Sequence, residues 1–296
     1  MIIRDFGMDT ATLAGPLEGK LAAIRRAGFS QVMLSASEVV GHPGGVNAGI
    51  RAVRDSGLAV TGLEMLRDFE GLDGKLHDYK VDVAKSLLQL CQDLGGRLLV
   101  VEASTSSHAN TGADAIVRDL RALAMLAIPK GVNIAFKGVS WSRTAGNFAA
   151  AGELVLRAEC RNLGLAIDAF DIIAAQMPPD DLDAIDPEQI FVVQLSDFRW
   201  QSMPTLAEEE ATRTRFRVFP GEGAHSDQLA ALVGKLDALG YAGIYSFDVY
   251  NDDYQQMPPD TVASRARRAA EWLEETVLRR ALPVPDMERL RRAAED

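Results

Sequence analysis

Cysteine is scarce: Cys91 and Cys160 are the only two in a chain of 296 residues. Two thiols cannot staple a chain this long, so a disulfide-built fold is excluded and both read as reduced core residues. Long apolar runs are also missing. No stretch approaches the roughly 20 residues that span a bilayer, and Met1-Ile2-Ile3-Arg4-Asp5 lacks the apolar centre of a signal peptide. A cytoplasmic protein without membrane contact is the expectation. Basic charge is in deficit, with 31 Lys and Arg against 42 Asp and Glu for a net charge of −11. That argues against nucleic acid and acidic membranes and leaves a small molecule as the expected partner. An anionic substrate is still allowed, because arginines in a pocket can override the mean field. The four histidines, His42, His77, His108 and His225, form no metal-ligand spacing, and only His108 falls where catalysis is worth testing. The Gly41–Gly45 stretch lacks the strand and helix context of a phosphate loop. No Gly/Ser/Pro-rich linker divides the chain, so we expect one domain over 1–281. A charged tail, 282–296, then docks on a second copy of the chain, forming a homo-oligomer, or frays.

What is present is a regular alternation. Apolar runs rich in β-branched residues recur at Ile2–Gly7, Gln31–Leu34, Ala59–Leu66, Leu98–Ala103, Asn133–Val139, Gly164–Phe170, Ile190–Leu195 and Gly243–Tyr250. Several are almost continuously apolar, as in parallel strands covered on both faces. Between them lie segments with apolar residues three and four apart, such as Val83, Leu87, Leu90 and Leu94, or Ile116, Leu120, Leu123 and Leu126. These predict outer helices. Gly28, Gly57, Gly95, Gly131, Gly164 and Gly240 precede strands where helix C-caps are expected. Eight β-then-α units predict an α/β fold, a (β/α)8 TIM barrel of one domain.

In such a barrel, side chains at the C-terminal strand ends face the site. Here they are Glu64, Glu102, Lys137, Asp168, Gln194 and Asp248. Burying so many polar groups costs several kcal/mol without a purpose, so together they mark a site. Arg67, Arg143 and Arg217 lie in loops on the same face and suit a small anionic, hydroxylated substrate, with Trp141 as a pocket wall. The polar segment from Asp197 to Gly223, with Glu208-Glu209-Glu210, Arg213, Arg215 and Arg217, reads either as a solvated excursion or as a flap over the substrate.

Five segments carry a family resemblance: Arg67-Asp68-Phe69-Glu70-Gly71, Ser140-Trp141-Ser142-Arg143, Leu165-Ala166-Ile167-Asp168-Ala169-Phe170, Phe219-Pro220-Gly221-Glu222-Gly223, and Asp248-Val249-Tyr250-Asn251-Asp252. With these the chain resembles the xylose isomerase-like barrels of the sugar phosphate isomerase/epimerase group, and among them most closely the bacterial 3-dehydroshikimate dehydratases. The resemblance implies a divalent metal (Mn, Mg, Co or Zn) held by Glu, Asp, Gln or His, and Glu at the ends of strands five to eight. Those positions read Lys137, Asp168, Gln194 and Asp248. It also implies a histidine where Asp171 stands. At about 4 Å two like unit charges repel by roughly 4 kcal/mol at an effective dielectric near 20, so an ammonium at the metal position opposes the ion. Three readings of Lys137 stay open: a structural ion-paired lysine, a direct catalyst, or a side chain turned away from a metal on Asp168, Gln194, Asp248 and Glu102. The activity implied is a dehydratase-like lyase acting on a small hydroxylated carbonyl compound or cyclic acid by proton abstraction next to the carbonyl, with Lys137, Asp171 and Glu102 as candidate catalytic residues. The alternatives are a sugar or sugar-phosphate isomerase/epimerase, and a degenerate barrel that binds a ligand or partner.

Overall fold

The structure, a computed structural model, describes residues 6–278. Eight parallel strands close into a barrel in chain order: β1 (Phe6–Asp9), β2 (Gln31–Ser35), β3 (Ala59–Arg67), β4 (Leu98–Glu102), β5 (Asn133–Lys137), β6 (Leu163–Asp168), β7 (Ile190–Leu195) and β8 (Ile244–Phe247). Helices lie between successive strands, and the expected (β/α)8 barrel is the fold. The expected tail at 282–296 lies outside the described residues. Among the described residues no helix is long and apolar enough to cross a membrane.

Alternation within the strands sorts the core into two parts. Residues of one parity point into the barrel, where Met33, Leu98, Val100, Ala135, Ala166 and Val192 form a small buried cluster. The other parity faces the helices and joins a much larger core. Helix Ala113–Ala127 shows the outer pattern, with Ile116, Leu120 and Leu123 buried at intervals of three and four. Because the side-chain period is two, the residue two positions beyond each floor residue also faces inward. Val100 leads to Glu102, Ala135 to Lys137, Ala166 to Asp168 and Val192 to Gln194. Register aligns these side chains in one layer, pairing Glu102 with Lys137 and Asp168 with Gln194.

Two expectations shift. Among the described residues the first strand runs over Phe6–Asp9, past the expected end at Gly7, and pairs Asp9 with Met33, while the expected residues 2–5 lie outside the described ones. Expecting it to end at Gly7 left Asp9 outside the layer. The Asp9 side chain then accepts from Ala11 N–H at 2.9 Å and caps the turn at Thr10–Thr12. Gly164 is no helix cap: it lies inside β6, where a Cβ would meet Gln189 O at 2.5 Å. The preceding helix, Phe148–Ala158, ends at Glu159, which takes φ 53° itself. Cys91, buried on helix Gly74–Asp93, directs its thiol at Leu98 O at 3.4 Å, and burial pushes the thiol pKa up to about 11.

Candidate active site

Lys137 extends into the middle of the polar layer and is 1% exposed. Its ammonium donates to Gln194 Oε1 at 2.7 Å and lies 3.6 Å from Asp168 Oδ2 and 4.0 Å from Asp248 Oδ2. The side chain is therefore not turned away. It sits at the point on which the other three strand-end side chains converge. Gln194 bridges two groups, because its amide nitrogen also donates to Glu64 Oε1.

The long segment after β7 supplies two further cations. Its helix, Leu206–Arg215, begins with a capping box in which Thr205 and Glu208 satisfy each other's backbone donors. Arg213, near its end, turns inward, with Nη1 2.9 Å from Glu102 Oε2, Nε 3.1 Å from Asp171 Oδ1, and the guanidinium 5.0 Å above the Trp141 ring. Arg217 donates to both oxygens of Asp168 at 3.2 and 3.0 Å, and to Ser196 Oγ at 3.1 Å. Its guanidinium lies 4.7 Å over Phe170. Both arginines are buried. The segment thus brings two buried cations to the mouth, while most of its helix stays exposed.

Charge in this layer follows from burial set against these cations. Burial raises the Asp168 pKa, but Arg217 and Lys137 outweigh it and hold the carboxyl near 2. Asp171 rises to about 7, because burial exceeds the help from Arg213. Asp248 rises to about 6 through burial and the nearby Glu64. Asp9 lies well above the carboxylate range, first from burial and then from Glu64. Asp9, Glu64 and Asp248 each place a carboxylate oxygen within 4.8 Å of the others.

An open cavity of about 690 Å³ occupies one half of the mouth. Glu64, Arg67 and Tyr250 belong to its wall; Lys137, Asp168, Asp171, Gln194 and Asp248 do not. Among the residues expected to bind substrate, Arg67 reaches this cavity and lies 3.4 Å from Glu102. Arg217 is committed to Asp168 inside the sealed half, Trp141 supports Arg213, and Arg143 is exposed with its backbone N–H on Ser104 O at 2.9 Å. His108 is exposed and outside the cavity wall. Two residues with a part in the layer escaped the sequence reading. Asp9 was hidden by the misplaced end of β1, and Arg213 by a charge-rich run that resembles a solvated helix.

Beside the layer, Glu70 ties three loops together. It is buried, and its Oε1 accepts from Ser104 N–H at 2.5 Å and Thr144 Oγ1 at 2.6 Å, while Oε2 has no partner. Burial raises its pKa to about 7 despite those two donors. A carboxyl raised on folding keeps its proton in the native state where the unfolded chain has lost it. Stability is therefore present below the ordinary Glu value and declines as pH rises towards 7. We expect Glu70→Gln to match wild type at pH 5 and to be more stable by about 1–3 kcal/mol at pH 8, measured by urea unfolding at both values. Equal stability of the two proteins at pH 8 would contradict a carboxyl that ionises against burial.

Comparison with known proteins places these observations. The family described as xylose isomerase-like TIM barrel matches residues 21–276. The 3-dehydroshikimate dehydratase of Pseudomonas aeruginosa is 32% identical over 267 residues, covering 90% of this chain and 41% of that protein. The chain thus spans about two fifths of the length of that relative. The inosose isomerase of Bacillus licheniformis is 25% identical over 209 residues, 69% of this chain and 72% of that one. Among solved structures, a xylose isomerase-like TIM barrel/4-hydroxyphenylpyruvate dioxygenase fusion protein superposes with a TM-score of 0.85 at 27% identity, covering 96% of this chain and 45% of that one. The IOLI protein with a bound zinc atom superposes with a TM-score of 0.76 at 21% identity, covering 95% and 100%.

Proposed function

This chain belongs to the xylose isomerase-like TIM barrel family, and we propose that it is a dehydratase-like lyase that removes a proton next to the carbonyl of a small hydroxylated, anionic compound. The observation that carries the reading is the cavity at the C-terminal mouth, which sets the buried carboxylate of Glu64 against the exposed guanidinium of Arg67. A buried carboxylate at the wall of a pocket is suited to carbon-acid chemistry, and a guanidinium at the rim is suited to a substrate carboxylate. The similarity to a 3-dehydroshikimate dehydratase favours elimination.

Family resemblance supports a divalent metal in general, and relatives include a zinc-bound protein. The side chains at the ends of β5 to β8 do not fit one in this chain. The Lys137 ammonium stands among the would-be ligands, and Arg217 engages both oxygens of Asp168. Lys137, buried and bonded to Gln194, acts on the substrate only through its neighbours.

The inosose isomerase relative supports a second reading, isomerisation, which shares the proton abstraction. The two part at the next step. Loss of water from a β-hydroxy carbonyl compound creates a conjugated chromophore, whereas isomerisation exchanges the carbon-bound proton with solvent without one. The test is incubation of the purified protein with 3-dehydroshikimate and, separately, with an inosose in deuterium oxide. A new ultraviolet band with the first supports the lyase, and deuterium incorporation into the second without such a band supports the isomerase. Binding of either compound with no exchange and no band would replace both readings with a ligand-binding barrel.

A further inference from the structure

We infer that Glu64 is the catalytic base, held by its contact to Gln194. This deepens the proton-abstraction reading above and rests on it. Four observations converge on the residue. Glu64 belongs to the cavity wall, while the Lys137 group does not. It is 3% exposed, so a proton exchanged there is exchanged with whatever fills the cavity. One of its oxygens, Oε1, accepts from Gln194, and the other, Oε2, is buried with no partner. Asp9 and Asp248 each bring a carboxylate oxygen within 4.8 Å.

Asp9 accepts from Ala11 N–H and, like Asp248, does not line the cavity, so of these three carboxylates Glu64 alone, with its Oε2 unpartnered, belongs to the wall of the space a substrate would fill. Behind Glu64 the Lys137 ammonium donates to Gln194, which donates onward to Glu64. The ammonium thereby polarises the amide that holds the base. Lys137 is a positioning residue in this arrangement, and the family's metal position has become the support of a base one step nearer the cavity.

The reaction balances on this one carboxylate. Glu64 takes the proton from the carbon beside the carbonyl, and the C–H electron pair becomes the enolate. Collapse of the enolate breaks the C–O bond of the β-hydroxyl, and the same carboxyl returns its proton to the departing oxygen. Water leaves, and Glu64 ends as the carboxylate it began as. No oxidant, reductant or co-reactant is required.

The test uses the 296-residue chain with 3-dehydroshikimate in deuterium oxide, following deuterium incorporation by NMR and elimination by absorbance, with binding by calorimetry. Glu64→Gln is expected to lose at least about 100-fold in both rates, as removal of a general base does, while binding 3-dehydroshikimate within about threefold of wild type. Glu64→Asp keeps a carboxylate and is expected to retain measurable exchange, which separates loss of the base from a defect in folding. Wild-type activity is expected to survive dialysis against a chelator. Exchange by Glu64→Gln at the wild-type rate overturns the inference alone. Loss of activity to chelator, restored by Mn²⁺, also overturns it, since Asp9, Glu64 and Asp248 would then be holding a cation. Absence of exchange and turnover in the wild type, with both 3-dehydroshikimate and an inosose, overturns the inference together with the reading beneath it.

Discussion

In the presence of chelator, Lys137→Glu is expected to be less stable than the wild type by about 3–5 kcal/mol, the range seen when one member of a buried ionic group is removed. Mn²⁺ or Zn²⁺ is expected to restore much of that loss. The wild-type ammonium faces Gln194 at 2.7 Å, Asp168 at 3.6 Å and Asp248 at 4.0 Å. Replacing it with a carboxylate removes the compensating charge and adds one of the opposite sign in a layer buried from solvent. Asp248, already raised to about 6, can answer only by taking a proton. The substitution also recreates the donor set that the family resemblance implies. A cation at 100 times its dissociation constant would return about 2.7 kcal/mol. Lys137→Met, which removes the charge without reversing it, should fall between the two proteins. Denaturant midpoints with chelator and with added metal check the ordering. A Lys137→Glu protein as stable as wild type in chelator would show that Lys137 does not compensate the surrounding acids.

Arg213→Ala is expected to cost about 2–4 kcal/mol in the full chain, and to act locally before it acts globally. Its guanidinium is the point where helix Leu206–Arg215 meets Glu102, Asp171 and the face of Trp141. The helix buries little else: of its ten residues only Thr212 and Arg213 are buried. Removing the anchor leaves a short polar helix whose own stability is marginal, and leaves Glu102 without its 2.9 Å partner. Amide hydrogen exchange should rise across 206–215 by at least about tenfold, the factor that 1.4 kcal/mol represents. Amides in β4 to β7 should change much less. Uniform acceleration throughout the barrel would mean that the segment is no separate unit and that Arg213 serves the core.

The barrel was readable from the chain because two periods alternate along it. Period two in the strands and three-to-four spacing in the helices are local patterns, and Ile190–Leu195 lies where apolar continuity put it. The polar layer was readable for the same reason, since Glu102, Lys137 and Asp168 end short apolar runs and Gln194 stands one residue before the end of another. Direction and partnership were not readable. Arg217 and Arg213 stand four apart on a polar segment, and nothing local shows that both turn inward and stack on Phe170 and Trp141. Those contacts join residues more than forty positions apart in the chain. The separation of the mouth into a sealed half and an open half follows from that turn, and so was invisible as well. Asp9 was lost to a strand boundary misjudged by two residues, in a layer where a one-residue slip reverses the face.

Cys91 gives the molecule an internal clock. Its thiol lies between helix Gly74–Asp93 and the start of β4, beneath the floor of the barrel rather than at its mouth, and its raised pKa keeps it from forming the reactive thiolate. A thiol reagent can reach it only when that seam parts. Rearrangements confined to the Arg213 helix leave the seam intact, so alkylation of Cys91, followed in a background without Cys160, ticks at the rate of whole-barrel opening and is silent to motion at the rim.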